Sequence, residues 1–281
     1  MRRNTLTEMK ESAQAPDIQV LSQEIEVGMD GGNFESSDRV GRYRLRIGEH
    51  VRYLTIATDV FDEETMSIPR LLLPRLPTLP GGPWTIMNIS KGKDGFPRSS
   101  LSYEPLKAVT SIWHPQRIDI LSLPEVRHLK SEVYETIYQG RRVIAKMASF
   151  NWHIGPIENE TFLYSLMTQD SMAYKYIPGF IGHLTENGRV MGMLLEFLEG
   201  RAAGIEDLER CASVLSWLHR LGIVHGDVNR HNFVVNNMGH VYVIDFANAE
   251  PWTAEGARKE MEGLREQLEE THLRGAPSHD C

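Results

Sequence analysis

The sequence predicts an α+β chain in two lobes, with a β-rich small lobe followed by a short, truncated helical large lobe. Three observations carry this expectation. Apolar alternation of period two dominates much of residues 41–196, the texture turns helical after Glu196-Phe197-Leu198-Glu199-Gly200, and a polar loop from His225 to Asn232 lies between a well-marked helix and a short hairpin. The change at 196–200 is where a hinge between lobes is expected.

The chain has 281 residues, 41% of them hydrophobic, which is enough to build one large core or two modest ones. Its net charge of −8 argues against a broad nucleic-acid surface and leaves a tRNA partner as an open alternative. No run approaches the roughly 18 apolar residues of a membrane span. Residues 1–17 lack the apolar stretch of a signal peptide, so no membrane partner is expected and the cytoplasm is the expected compartment, with the nucleus as alternative. Cys211, in an apolar helical pattern, and Cys281 make no disulfide framework, which suits a reducing compartment. Oligomeric state is not legible.

Taken in order, residues 1–38 show no periodicity and read as a flexible lead-in. Residues 39–116 read as a β-rich unit. There Tyr43, Leu45 and Ile47 alternate with Arg42, Arg44 and Arg46, the arginines forming a solvated hairpin face. The segment IPRLLLPRLPTLPGGPW carries too many prolines for a strand or helix interior and reads as an extended connector, followed by two strands in WTIMNIS and LSYEPLKAVTSIW. A second unit is expected over 117–274, with a small lobe at 117–198, a short large lobe at 199–274 and a tail at 275–281.

Within the second unit, Ile118–Leu123, Val126–Tyr138 and Arg141–Ala148 read as three strands, the last carrying Lys146 on the face of Ile144. A lysine in that position needs a partner, unless the strand lies at an edge and the side chain reaches solvent. Pro156 suits the first turn of the next helix, on which Ile157, Glu160, Tyr164 and Met167 share a stripe; Glu160 should face inward and Glu158 should not. A buried carboxylate is costly unless paired, and Lys146 is the nearest candidate. An Asn187-Gly188 hairpin follows, then a helix burying Leu208, Cys211, Leu215 and Leu218 and stopped by Gly222. Phe233–Val235 and His240–Ile244 form a hairpin that presents Asp245. Thr253 caps a last helix with Ala257, Met261, Leu264 and Leu268 as its buried stripe.

The polar loop, HGDVNRHN, spaces His225, Asp227 and Asn232 as H-x-D-x-x-x-x-N, and the hairpin then ends in Ile244-Asp245-Phe246. With VIAK at 143–146, IENE at 157–160 and LLEFLEG at 194–200, the chain resembles the protein-kinase-like superfamily over about residues 118–270. The His-Gly-Asp form looks most like compact atypical kinase-like proteins of filamentous fungi, related to the aminoglycoside and choline phosphotransferase type. The resemblance implies a kinase-like two-lobed fold and an ATP- and Mg²⁺-dependent transfer of the γ-phosphate to a hydroxyl. Asp227 would accept the acceptor's proton, a contribution of roughly a hundred- to ten-thousand-fold. Lys146 would hold phosphates and Glu160 would fix it. Glu196 and Leu198 of the hinge would hold the nucleotide, while Asn232 and Asp245 offer the oxygen ligands that Mg²⁺ prefers. His225 is expected to pack and hydrogen-bond within the loop.

The departures from the family pattern shape the expected acceptor. No glycine lies between Ile118 and Gly140, and Lys130-Ser131-Glu132 occupies the turn where a Gly-rich lid would cover the phosphates. Asn229 stands where Ser/Thr protein kinases carry a lysine, and Ala247 follows Phe246 in place of glycine. With the chain ending at 281, no room is expected for a protein-substrate platform, so a small hydroxyl-bearing molecule is the favoured acceptor. Two alternatives stand beside this reading. One is a pseudokinase or binding module that recruits a partner through residues 40–115; the other is repurposed transferase chemistry, by nucleotidyl transfer or aminoacyl-tRNA-dependent condensation in fungal secondary metabolism.

Overall fold

Alternating apolar side chains in the first third of the chain build a five-stranded sheet in sequence order: β1 (Ile18–Ile25), β2 (Val40–Ile47), β3 (His50–Ala57), β4 (Ile86–Lys91) and β5 (Pro97–Ser102). The computed structural model describes residues 17–26, 40–130 and 132–270, and the chain divides into two units, 1–105 and 106–281. In the first unit every neighbouring pair of strands is antiparallel except β3 and β4. A parallel pair needs a crossover. It is supplied by the proline-rich segment, in which Asp62 caps α1 (Glu63–Ser67), Pro69 opens α2 (Pro69–Leu72), and a 3-10 turn follows at Leu73–Arg75. The extended connector expected there is therefore partly helical, because Pro69 sits at the first helical position, where its missing N–H costs nothing. Leu72 from this crossover joins Tyr43, Leu54, Met66, Trp84 and Met87 in the unit's core.

Two further expectations change. The strand β1 lies inside the stretch read as a flexible lead-in. Arg44 is 4% exposed, so the arginines do not all share a solvated face. The rest of 1–38, together with Ser131 and the 275–281 tail, falls outside the described residues apart from Asp17 and Glu26.

The second unit opens with β6 (Arg117–Asp119), then β7 (Glu125–Lys130), β8 (Val133–Tyr138) and β9 (Arg141–Met147). After α3 (Ile154–Met167) come β10 (Phe180–Glu186) and β11 (Arg189–Glu196), and the six strands form one sheet in the order β6-β10-β11-β9-β8-β7. Residues 126–138, read as one strand, are two arms of a hairpin. The stretch from Ile118 is a three-residue strand ending in a 3-10 turn capped by Asp119. The Asn187-Gly188 turn forms as expected, with both residues at positive φ.

Beyond the hinge, β12 (Arg201–Ala202) leads to α4 (Leu208–Arg220), whose start is fixed by fully buried Asp207: its carboxylate accepts from Gly204 N at 2.9 Å and from Arg201 at 2.6 Å. Then follow β13 (Ile223–Val224), the polar loop, the hairpin β14 (Phe233–Val235) and β15 (Val241–Val243), β16 (Glu250–Pro251), and α5 (Ala254–Glu269), capped by Thr253 as expected. Leu264 and Leu268 of α5 are buried, but Met261 is exposed. One core joins α3 to α4 and α5 through Tyr164, Leu215, Trp217, Phe233 and Phe246. This is the α+β, kinase-like two-lobed architecture, and no helix among the described residues is long and apolar enough to cross a membrane.

Candidate active site

Lys146 of β9 is 7% exposed and Glu160 of α3 is fully buried, which is where strand and helix periodicity put them. Lys146 Nζ lies 2.5 Å from Glu160 Oε2 and 2.9 Å from Asp245 Oδ1. Desolvation alone would lower the Lys146 pKa, but the two carboxylates outweigh it and hold the ammonium above its usual value. Asp245 shows the mirror case. Burial pushes its carboxyl up, yet Lys146 and Lys130 hold it well below the usual carboxylate range, with Lys130 Nζ 2.5 Å from Oδ2. The backbone of Asp245 has φ +70, a left-handed conformation that costs about 1–3 kcal/mol for a non-glycine residue. The surrounding structure must therefore impose it. Part of that constraint is Asn159 of α3, whose amide donates to Ala249 O at 2.9 Å and to Phe246 O and Ala247 O at 3.3 Å.

The polar loop is organised by its own side chains. Buried His225 is kept neutral by desolvation, which lowers its pKa; its Nε2 donates to Ile244 O at 3.0 Å and its Nδ1 accepts from Asp227 N at 3.3 Å. Asn232 Nδ2 donates to Asp227 O at 2.8 Å, and Asn229 and Asn232 each reach Asp227 Oδ2 at 3.3 Å. Ile244 N donates to Asn232 O at 2.9 Å, so the residue before Asp245 is tied directly to the loop. Asn229 thus gives Asp227 neutral hydrogen bonds where a lysine would give charge. Arg230 is directed to Glu270 O, 3.4 Å away.

A cavity of about 270 Å³ lies between the lobes. Val133 and Ile144 line it from the sheet, Val234 and Ile244 from the hairpin, and Glu196, Phe197 and Leu198 from the hinge, with Lys146, Glu160 and Asp245 at its charged end. Its apolar slot beside a cluster of charge has the form of a ligand site. Five expected site residues, Lys146, Glu160, Glu196, Leu198 and Asp245, line this cavity; Asp227 and Asn232 do not, and Asn232 O is tied to Ile244 N, whose residue does. At the hinge, Glu196 N is already bonded to Gly179 O at 2.8 Å, and the Glu196 carboxylate accepts from Gly179 N at 3.2 Å. The Glu196 N–H and carboxylate are therefore already engaged.

Three participants escape sequence reasoning. Lys130 belongs to the turn noted only for its lack of glycine. Glu260 of α5 accepts from Gly226 N at 2.7 Å and pairs with His219 at 2.7 Å, tying the loop to two helices. Gly226 itself has φ +77, and a Cβ there would stand 2.0 Å from Asn248 O. This is why the loop carries His-Gly-Asp: only glycine lets the segment after Asp245 approach so closely. Gly226→Ala is expected to lose roughly 1–3 kcal/mol or more of stability, from strain and displaced backbone, in urea denaturation.

A β-rich lobe, a short helical lobe and a hinge-lined cleft carrying a paired lysine and glutamate, a polar loop with Asp227 and the half-buried Asp245 give the chain the form of a kinase-like phosphotransferase. Residues 200–279, from the end of the hinge through α5 and beyond, match the model of the Kdo lipopolysaccharide kinase (Kdo/WaaP) family. That match covers the loop and Asp245 but not Lys146 or Glu160, which rest on the geometry above. It does not bear on the narrower likeness to the aminoglycoside and choline type. No curated protein matches the chain.

Proposed function

We propose that the protein transfers the γ-phosphate of ATP, with Mg²⁺, to a hydroxyl group of a small molecule. The observation that carries this reading is the meeting of Lys146, Glu160 and Asp245 at the charged end of a cleft whose other end is apolar and closed by the hinge. The donor set fits the metal: Asp245 and Asn232 offer a carboxylate and an amide oxygen, hard ligands of the kind Mg²⁺ takes. When bound, the metal would neutralise charge on the phosphates. Lys146, fixed by Glu160, holds phosphate oxygens; Leu198 and the apolar walls hold the base; Asp227 orients the acceptor hydroxyl and takes its proton. A lipopolysaccharide kinase, by its description, acts on a saccharide-bearing lipid, which supports an acceptor other than a protein. A cytosolic location belongs to the same proposal.

A thermal-shift titration tests this. The native protein should be stabilised by ATP with Mg²⁺, and Asp245→Ala should lose the Mg²⁺-dependent part of the shift. No shift with any nucleotide and Mg²⁺ would overturn the reading. The non-catalytic alternative draws on the glycine-free segment between β7 and β8 and on the pairing of both Asp245 oxygens with lysines.

A further inference from the structure

The segment Lys130-Ser131-Glu132 lacks the glycines that would bring backbone amides to phosphates, and Glu132 at its end is held by several bonds. Met147 N donates to Glu132 O and Ser149 N to Glu132 Oε2, each at 3.0 Å, and His153 lies 3.0 Å from the other Glu132 oxygen. Strand register then does the rest. Lys130 pairs with Val133 across β7 and β8, and Val133 with Lys146 across β8 and β9. Directly opposed residues on neighbouring strands point to the same face. The two ammonium groups accordingly enter the cleft side by side, Lys146 on Asp245 Oδ1 and Lys130 on Asp245 Oδ2. Lys146 is deeply buried, whereas the Lys130 side chain is 39% exposed at the cleft edge, with a flexible stem free to change partners.

We propose that Lys130 is a phosphate-binding residue that replaces a glycine-rich lid, giving one mobile positive charge where such a lid gives backbone amides. This rests on the phosphotransferase reading. As the structure stands, Lys130 and Lys146 are balanced by Asp245 and Glu160. A nucleotide triphosphate brings oxygens that compete with Asp245 for Lys130, and the same exchange releases Oδ2 for a metal ligand role. Pairing with Asp245 is then the resting position of a ligand-binding lysine, which is how a cleft whose β7–β8 segment has no glycine retains a phosphate site.

The test is calorimetric binding of ATP, ADP and adenosine, with Mg²⁺, to native protein, Lys130→Met and Lys130→Arg. The exposed position allows both variants to fold, and their melting curves check this. Loss of one charged contact should weaken ATP by about tenfold or more in Lys130→Met. ADP should weaken to a similar or smaller extent and adenosine by less than about twofold, with Lys130→Arg recovering most of the ATP affinity. Native protein that binds ATP, with Lys130→Met weakening ATP and adenosine equally or neither, would overturn the role of Lys130 alone. Native protein that binds none of the three would overturn the phosphotransferase reading and this proposal together.

Discussion

Asp227→Asn is expected to lower turnover by about a hundred- to ten-thousand-fold, the worth of a well-placed general base, while leaving ATP affinity within about twofold. The substitution keeps the shape of the side chain. The bonds that fix the residue's backbone, from Asn232 Nδ2 to Asp227 O at 2.8 Å and from Asp227 N to His225 Nδ1 at 3.3 Å, do not involve the carboxylate. The ammonium groups that would hold phosphates are spent on Glu160 and Asp245, so phosphate binding does not depend on the charge of Asp227. Steady-state ADP formation, read beside calorimetric affinity, separates the two effects. Equal losses in both would show that Asp227 acts through binding or folding.

Glu160→Ala should be the most destabilising single change in the cleft. Breaking a buried ion pair from one side leaves a charge without its partner, at a cost of about 3–5 kcal/mol. Asp245 remains beside Lys146, but the closer carboxylate is gone and a space opens in a helix face that is otherwise packed. Replacing both partners, Lys146→Met with Glu160→Leu, should cost less than Glu160→Ala alone, because no buried charge is then left unpaired. Urea denaturation of the two single variants and the double variant measures this. A loss under about 1 kcal/mol in Glu160→Ala would contradict the packing described here.

Lys146 and Glu160 were legible because strand and helix periods are rigid: two residues from Ile144 and three from Ile157 fix which way each side chain points. Asp227, Asn232 and Asp245 stood out by their likeness to the kinase-like pattern, and the structure ties Asn232 to Asp227 O and to Ile244 N, beside Asp245. Other features depend on partners remote in sequence. The strand Ile18–Ile25 has little pattern of its own and forms by pairing with β2, beginning at Val40. Met261 falls on the apolar stripe of α5, yet only Leu264 and Leu268 meet α4 and the core. Glu260 reads as one more charge on a surface helix until α5 folds back over Gly226. Lys130 was hidden for another reason: a long side chain at the end of a strand can reach solvent or cleft, and only the register of three strands decides.

The proposed reaction cleaves ATP between its β- and γ-phosphates. Mass spectrometry of the products formed from ATP and Mg²⁺, with water as acceptor where no better hydroxyl is supplied, tests it most directly. The account predicts ADP as the nucleotide product, formed by the native protein and lost in Asp227→Asn. AMP with pyrophosphate would contradict it and assign the cleft to nucleotidyl transfer.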